Sequence, residues 1–472
     1  MDSKDNLKLA NQDSAGYRDR VATIDEDGKR TWIYPKKPKG KYYNYRTWLS
    51  YVLLFLMFAG PFMRVNSQPV LLLNILERKF IILGMAFWPQ DFHLFVIAMI
   101  TGVVAILLFT SIFGRLFCGW VCPQTVFMEM LFRKIEYFIE GDASNQRKLD
   151  RQALNIEKIF KKTIKHVIFF ALSFLIGNTL LAYIIGSDEL IHIITDPINS
   201  HMQGLMVMML FSLAFYYVFS QFREQACTMV CPYGRFQSVL LDDRSIVISY
   251  DFVRGEPRGK LEKHPNSEKG DCIDCGHCID VCPTGIDIRN GTQLECVNCT
   301  ACMDACDNIM TKIGREPNLI RYASSYGIET GETKIMTSRA YGYSAILIIL
   351  IAVLSLLLFT RSDVEASILR AAGSLYYELP SKVIRNLYTV KVVNKTFDVM
   401  PIRFELAEPE GNIVIQGNAI IVEPQQIGKG QFFVDLKHQE LTGYRTTIVI
   451  DVFFGDRKIE TVHTNFMGPE NE

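Results

Sequence analysis

Eight of the twelve cysteines in this chain fall in two runs of one spacing, C-x2-C-x2-C-x3-C. Cys272, Cys275, Cys278 and Cys282 form the first, with Pro283 next; Cys296, Cys299, Cys302 and Cys306 form the second, with Asp307 where a proline is expected. Bacterial ferredoxins use this spacing to hold [4Fe–4S] clusters. A cube needs four thiolate corners, and three cysteines on one tight loop leave the fourth to come from elsewhere. The last cysteine of each run therefore serves the other cluster. The expected sets are Cys272, Cys275, Cys278 and Cys306 for one cluster, and Cys296, Cys299, Cys302 and Cys282 for the second. A zinc ribbon would show two C-x2-C pairs instead, and a disulfide framework would need an oxidising compartment.

The other four cysteines make two C-x3-C-P motifs, Cys118 with Cys122 and Cys227 with Cys231. Proline opens helices readily and breaks them in the interior. Cys122 should thus stand just before a helix N-terminus, where partial positive charge favours a thiolate, and Cys231 repeats the arrangement. Cu(I) prefers soft thiolate or thioether ligands. Cys118, Cys122, Cys227 and Cys231 are therefore candidates to bind copper or to face the electron acceptor; the plainer alternative is small cysteines packing at helix junctions. His201 and Met202, with Met206, Met208 and Met209, could bind copper near a span end, although methionines in membrane helices are commonly apolar filler. His277 lies between two cluster ligands. His93 and His166 lie at span ends, where a polar ring tip commonly sits in the interface.

Apolar stretches must position these residues. Hydrophobic residues make up 49% of 472, which points to a bilayer, while fifty basic and fifty acidic residues cancel and give no argument for a nucleic-acid partner. Residues 47–63, 92–113, 164–185, 205–222 and 344–360 read as five spans. The segment 69–88, with Glu77, Arg78 and Lys79 inside it, reads as interfacial. Eleven Lys or Arg before residue 47 and nine between 115 and 163 place those stretches on the cytoplasmic side. Each C-x3-C-P motif follows an inward-going span and precedes a helical pattern, an internal repeat of two helical hairpins.

The expected domains are 1–46, a cytoplasmic arm; 47–241, the helical core; 242–340, a cytoplasmic insert whose ferredoxin core is 270–308; 341–360, the last span; and 361–472, a periplasmic domain. In the last, about seven short alternating runs separated by turn residues predict an immunoglobulin-like β-sandwich. The fold class is a polytopic α-helical membrane protein with an inserted ferredoxin-like module and a C-terminal sandwich.

The stretches GRLFCGWVCPQTVFMEMLFRKIEYFIEGD, REQACTMVCPYGRFQSVLLDD, RGEPRGK and GDCIDCGHCIDVCPTGIDIRNGTQLEC together resemble the cytochrome c oxidase accessory protein family, called CcoG, FixG or RdxA. The resemblance implies a bacterial inner-membrane protein that helps assemble cbb3-type cytochrome oxidase by reducing Cu(II) to Cu(I). Its expected cofactors are two [4Fe–4S] clusters and possible copper; its expected partners are copper ions and oxidase subunits or assembly factors. No nucleotide-binding glycine loop, flavin motif or C-x-x-C-H stands in the sequence, so a separate electron donor is implied. The same architecture recurs in polyferredoxins of nitrate and nitrous oxide respiration. Two rival readings are a quinol-linked electron-transfer subunit and a non-redox assembly scaffold with structural clusters.

Overall fold

The computed structural model describes residues 23–469 except 25–26, 28, 66–67, 76–78, 83, 89–90, 261–268, 333–334, 363, 372, 374, 381 and 418. Residues 1–22 of the basic arm and Glu77 and Arg78 thus lie outside the described residues. Five long helices follow one another: α1 (Lys41–Ala59), α2 (Phe92–Phe113), α3 (Ile156–Ile185), α4 (Met202–Tyr217, continued by the π-helical turn Val218–Phe222) and α5 (Ser338–Phe359). From α2 to α5, all are long and apolar enough to cross a membrane. No residue in the apolar window of α5 is buried inside the protein. A helix apolar all round and left uncovered is a membrane span. By the same measures α1 falls outside this group among the described residues. It begins at Lys41, ahead of the expected span, and carries Arg46 in its second turn.

Two compact units are present. One contains Ile97–Ile351 and the described residues up to Arg64; the other contains Val65–Val96 and Ala352–Glu472. In the first, Phe132 stacks on Phe219 at 4.7 Å and meets Phe169 edge-on at 4.9 Å. All three rings are buried. This contact brings together the helix after the first C-x3-C-P motif, the end of α4 before the second motif, and α3. The insert closes with a strand pair, Val247–Tyr250 antiparallel to Ile320–Ala323.

The second unit is a β-sandwich. Its five-stranded sheet runs Gly411–Gln416, Ile427–Lys437, Val383–Asn394, Val364–Arg370, with Tyr377–Leu379 also paired to Val383–Asn394. The four-stranded sheet runs Ile420–Val422, Met400–Glu408, Arg445–Phe454, Arg457–Met467. Inward positions alternate along each strand, and Tyr388, Phe404, Phe432, Ile450 and Phe466 meet in the core. The 69–88 segment is a three-stranded antiparallel sheet, Leu71–Asn74, Lys79–Ile82 and Met85–Phe87. It is anchored within this unit through buried Asp91, which is 2.8 Å from Lys395 and 2.7 Å from Arg361.

Candidate iron–sulfur centres

The two ferredoxin runs fold into copies of one loop. Asp274 and Gly276 in the first run, and Asn298 and Thr300 in the second, all adopt positive φ, at 52°, 70°, 53° and 65°. A left-handed residue costs roughly 1–2 kcal/mol when it carries a side chain, and three of these four do. Such alternating backbone turns a row of N–H groups inward, the concave arrangement found at iron–sulfur sites. Each loop then enters a helix, His277–Asp280 or Ala301–Lys312. The longer second helix explains why Asp307 replaces the expected proline. Position 307 is helix interior, where proline would remove a hydrogen bond and clash with the preceding turn.

Two cavities in the module collect the cysteines. One is lined by Cys282, Cys296, Cys299 and Cys302 with Ile248, Pro283, Ile286 and Val297. The other is lined by Cys272, Cys275, Cys278 and Cys306 with Tyr250, His277, Arg289 and Ile320. Cys278 touches both. Each cavity thus collects three cysteines of one run and the last cysteine of the other. The donor set fits a cube with apolar walls. Asn298 Nδ2, buried beside Cys296, has no hydrogen-bond partner and suits a sulfur acceptor. Burial pushes the Cys278, Cys296 and Cys306 thiols up to about 12, so ligation to iron would release their protons.

Sequence reasoning did not single out Arg289, although it lines the second cavity. Its guanidinium grips Asp287 at 2.7 Å and Asp274 at 2.5 Å, holding the left-handed Asp274 in place. The RGEPRGK stretch also has a local reason. Arg254 pairs with Asp271 at 2.5 Å just before Cys272, and a side chain on Gly255 would collide with the Tyr250 ring.

Both C-x3-C-P motifs adopt the expected geometry, with Cys122 preceding the helix that Pro123 opens and Cys231 preceding Pro232–Leu240. The four thiols are brought together from the two hairpins. Cys118 donates to Gln237 Oε1 at 3.2 Å and lies near enough to Cys122 and Cys231 for charge on them to oppose its ionisation, as Cys122, Cys118 and Cys231 do for Cys227. Burial outweighs neighbouring Arg115, so the Cys118 thiol is pushed up to about 12. Burial raises the Cys227 thiol likewise. Arg115 ties the groups together, donating to Leu294 O in the insert and Gly234 O in the second hairpin. Gly119 packs directly on the backbone of Val297 and Asn298, and Arg46 donates to Gly119 O at 2.6 Å and Cys299 O at 3.5 Å.

Among the described residues, no three His, Cys, Asp or Glu side chains converge to hold a single metal ion. His201 pairs with Asp196 at 3.0 Å, and Met206 and Met209 are exposed on α4. His166 hydrogen-bonds Tyr216 at 2.8 Å. His93 stands in the first turn of α2.

A buried ionic network beside the hairpins was also missed. Glu136 accepts both arms of Arg223 at 2.8 and 2.9 Å and pairs with Lys165 at 3.2 Å; Glu140 pairs with Lys165 and Lys162. Arg133 reaches Glu129 and Glu224, and Glu224 receives Arg30. Burial opposes ionisation of Glu136, but Arg223 and Lys165 pull its carboxyl down to about 2. The network holds the segments after Cys122 and before Cys227 in fixed relation.

A 4Fe-4S dicluster domain family matches residues 222–325, and a 4Fe-4S binding domain family matches residues 95–139. The family described as the immunoglobulin-like fold at the C-terminal of FixG matches residues 354–469. Protein RdxB of Cereibacter sphaeroides is 34% identical over 78% of this chain and 80% of its own length. Protein RdxA of the same organism is 33% identical over 80% and 82%. The chain belongs to the FixG/RdxA family. The nitrogen fixation protein FixG of Rhizobium meliloti is 35% identical over 63% of the chain and 58% of its own length. As a FixG/RdxA protein it is a membrane iron–sulfur protein of the electron-transfer kind, with its immunoglobulin-like domain at the C-terminal end.

Proposed function

We propose that this chain is a membrane-bound one-electron carrier that reduces Cu(II) to Cu(I) for the copper centre of a cbb3-type oxidase. Cys272, Cys275, Cys278 and Cys306 hold one [4Fe–4S] cluster; Cys296, Cys299, Cys302 and Cys282 hold the second. The observation that carries this reading is the pair of cavities, each lined by one crossed set of four cysteines on a loop built twice. When bound, the clusters supply one-electron chemistry at potentials set by burial and hydrogen bonding. The chain's own residues do the rest: Ile248, Pro283, Ile286 and Val297 wall the second set of cysteines with apolar groups, Asn298 and Arg289 shape the loops, and Arg46 and Arg115 fasten the module to the hairpins. Copper as acceptor rests on the family resemblance and on thiolate's preference for Cu(I).

The ferredoxin module is assigned to the cytoplasmic side and the sandwich to the periplasmic side of the inner membrane. The basic charge flanking the first spans supports that orientation. Domain limits follow the sequence scheme, with the helical core ending near residue 241 and the insert near 340. Oxidase subunits or assembly factors are the partners, and the electron donor is a separate protein or quinol.

The test is anaerobic. Full-length protein is reduced, then titrated with Cu(II) while cluster absorbance and Cu(I) are both followed. At least two electrons per chain should pass, each to one Cu(II), and Cys282→Ser and Cys306→Ser should each lose one cluster. Cluster oxidation that ignores Cu(II) would remove copper from the reading.

A further inference from the structure

Four cysteines remain after the two ferredoxin clusters are filled, and they are neither scattered nor paired. We propose that Cys118, Cys122, Cys227 and Cys231 hold a third [4Fe–4S] cluster, lying behind the loop that carries Cys299. The reading goes beyond the two-cluster function and does not depend on it.

Four observations converge on it. The thiols come from two separate hairpins, yet Cys118 and Cys227 each lie within electrostatic reach of the others, held together by Arg115 bridging to Gly234. Gln237 is fully buried, its Oε1 accepts from Cys118, and its Nε2 has no partner. A buried amide donor left unsatisfied costs about 1–3 kcal/mol, and inorganic sulfide is the acceptor that would satisfy it. Thr125 is also buried; its hydroxyl faces Cys227 and finds no conventional partner. Finally, the 4Fe-4S binding domain match over residues 95–139 includes Cys118 and Cys122 but neither ferredoxin run. Two cysteines cannot complete a cube, and Cys227 and Cys231 are the pair the fold brings to them.

A single ion fits less well. Copper or zinc needs its ligands drawn onto one point, and no such convergence exists among the described residues. A cube takes each thiolate on a different iron, so its ligands stand apart. The ligand set is all sulfur, as these clusters require.

Position gives the site its meaning. Gly119, next to Cys118, packs on Val297 and Asn298, and Arg46 joins Gly119 O to Cys299 O. The third cluster is therefore in series with the cavity of Cys282, Cys296, Cys299 and Cys302. One electron leaving either cluster is one electron gained by the other.

The experiment uses full-length protein prepared anaerobically in detergent, with iron, acid-labile sulfide, copper and zinc measured per chain. Wild type should hold about twelve irons and about twelve sulfides, four per cube. Cys118→Ser/Cys227→Ser should lose one third of both. Wild type with about eight irons overturns the proposal without recourse to any variant, as does a double variant that keeps all its iron. One copper or zinc per chain, lost in that variant, overturns it in favour of a single-ion site. Cys272→Ser/Cys275→Ser should separately lose one third; iron unchanged there would sink the ferredoxin reading and leave the third cluster standing.

Discussion

Gly119→Ala tests whether the first hairpin and the cluster loop are pressed together as tightly as their backbones indicate. The added methyl carbon would stand 2.4 Å from Asn298 O and 2.5 Å from Val297 O. Ordinary contact lies near ~3.5 Å. The two segments must part by roughly 1 Å, against backbone on one side and a helix pinned by Arg46 and Arg115 on the other. Overpacking of this kind costs about 1–3 kcal/mol. Gly102→Ala is the control, because nothing lies within 4 Å of its new methyl. Anaerobic warming in detergent, followed by loss of visible cluster absorbance, gives the readout. Gly119→Ala should bleach at lower temperature and retain less iron; Gly102→Ala should match wild type. Matching curves for all three proteins would refute the close approach and the series placement built on it.

Glu136→Gln should destabilise the helical unit by about 3–5 kcal/mol, since it strands buried Arg223 and Lys165, read by thermal loss of helical circular dichroism. The wild-type advantage should be complete above the ordinary glutamate range and fade as pH falls toward the depressed value of about 2, because protonation then removes the same charge. Asp307→Pro should cost about 3 kcal/mol or more at helix Ala301–Lys312 and release one cluster, measured as a one-third to one-half fall in iron. Asp91→Ala should lower the melting temperature of the sandwich unit by leaving Lys395 and Arg361 facing an empty partner. Asp91 is held below the usual carboxylate range by Lys395, Trp88 N–H and Arg361, although burial acts the other way. Its contribution should therefore vanish only at acid pH.

The grouping of the cysteines around two pockets was legible because spacing alone dictates it, and α2 matched to the residue because Asp91 and Gly114 punctuate it. Other features hid for physical reasons. Helix α1 begins in aromatic and basic residues, Lys41 to Trp48, which continue a helix but dilute its apolar signal. Among the described residues the sandwich has nine strands where about seven were expected, since Tyr377–Leu379 and Ile420–Val422 are too short to alternate visibly. The 69–88 segment carries long apolar side chains in a small sheet, a pattern that periodicity alone assigns poorly. Three of the four left-handed loop positions are not glycine, so nothing in their residue type announces them. The ionic network had a sign: Glu129, Arg133, Glu136 and Glu140 share one helical face. Its partners, Lys162, Lys165, Arg223 and Glu224, lie far along the chain and could be joined to it only by the fold.

Asp304 connects the second cysteine run to the first long helix. Its carboxylate accepts from the backbone N–H groups of Tyr42 and Tyr43, the first turn of α1, while its own helix bears Cys302 and Cys306. No side chain of the local sequence caps that turn. A borrowed carboxylate, from the helix that bears Cys302 and Cys306, thus helps fix where the first long helix starts. Any shift of that helix would leave the Tyr42 and Tyr43 N–H groups to water, so the start of α1 and the second cysteine run move as one piece.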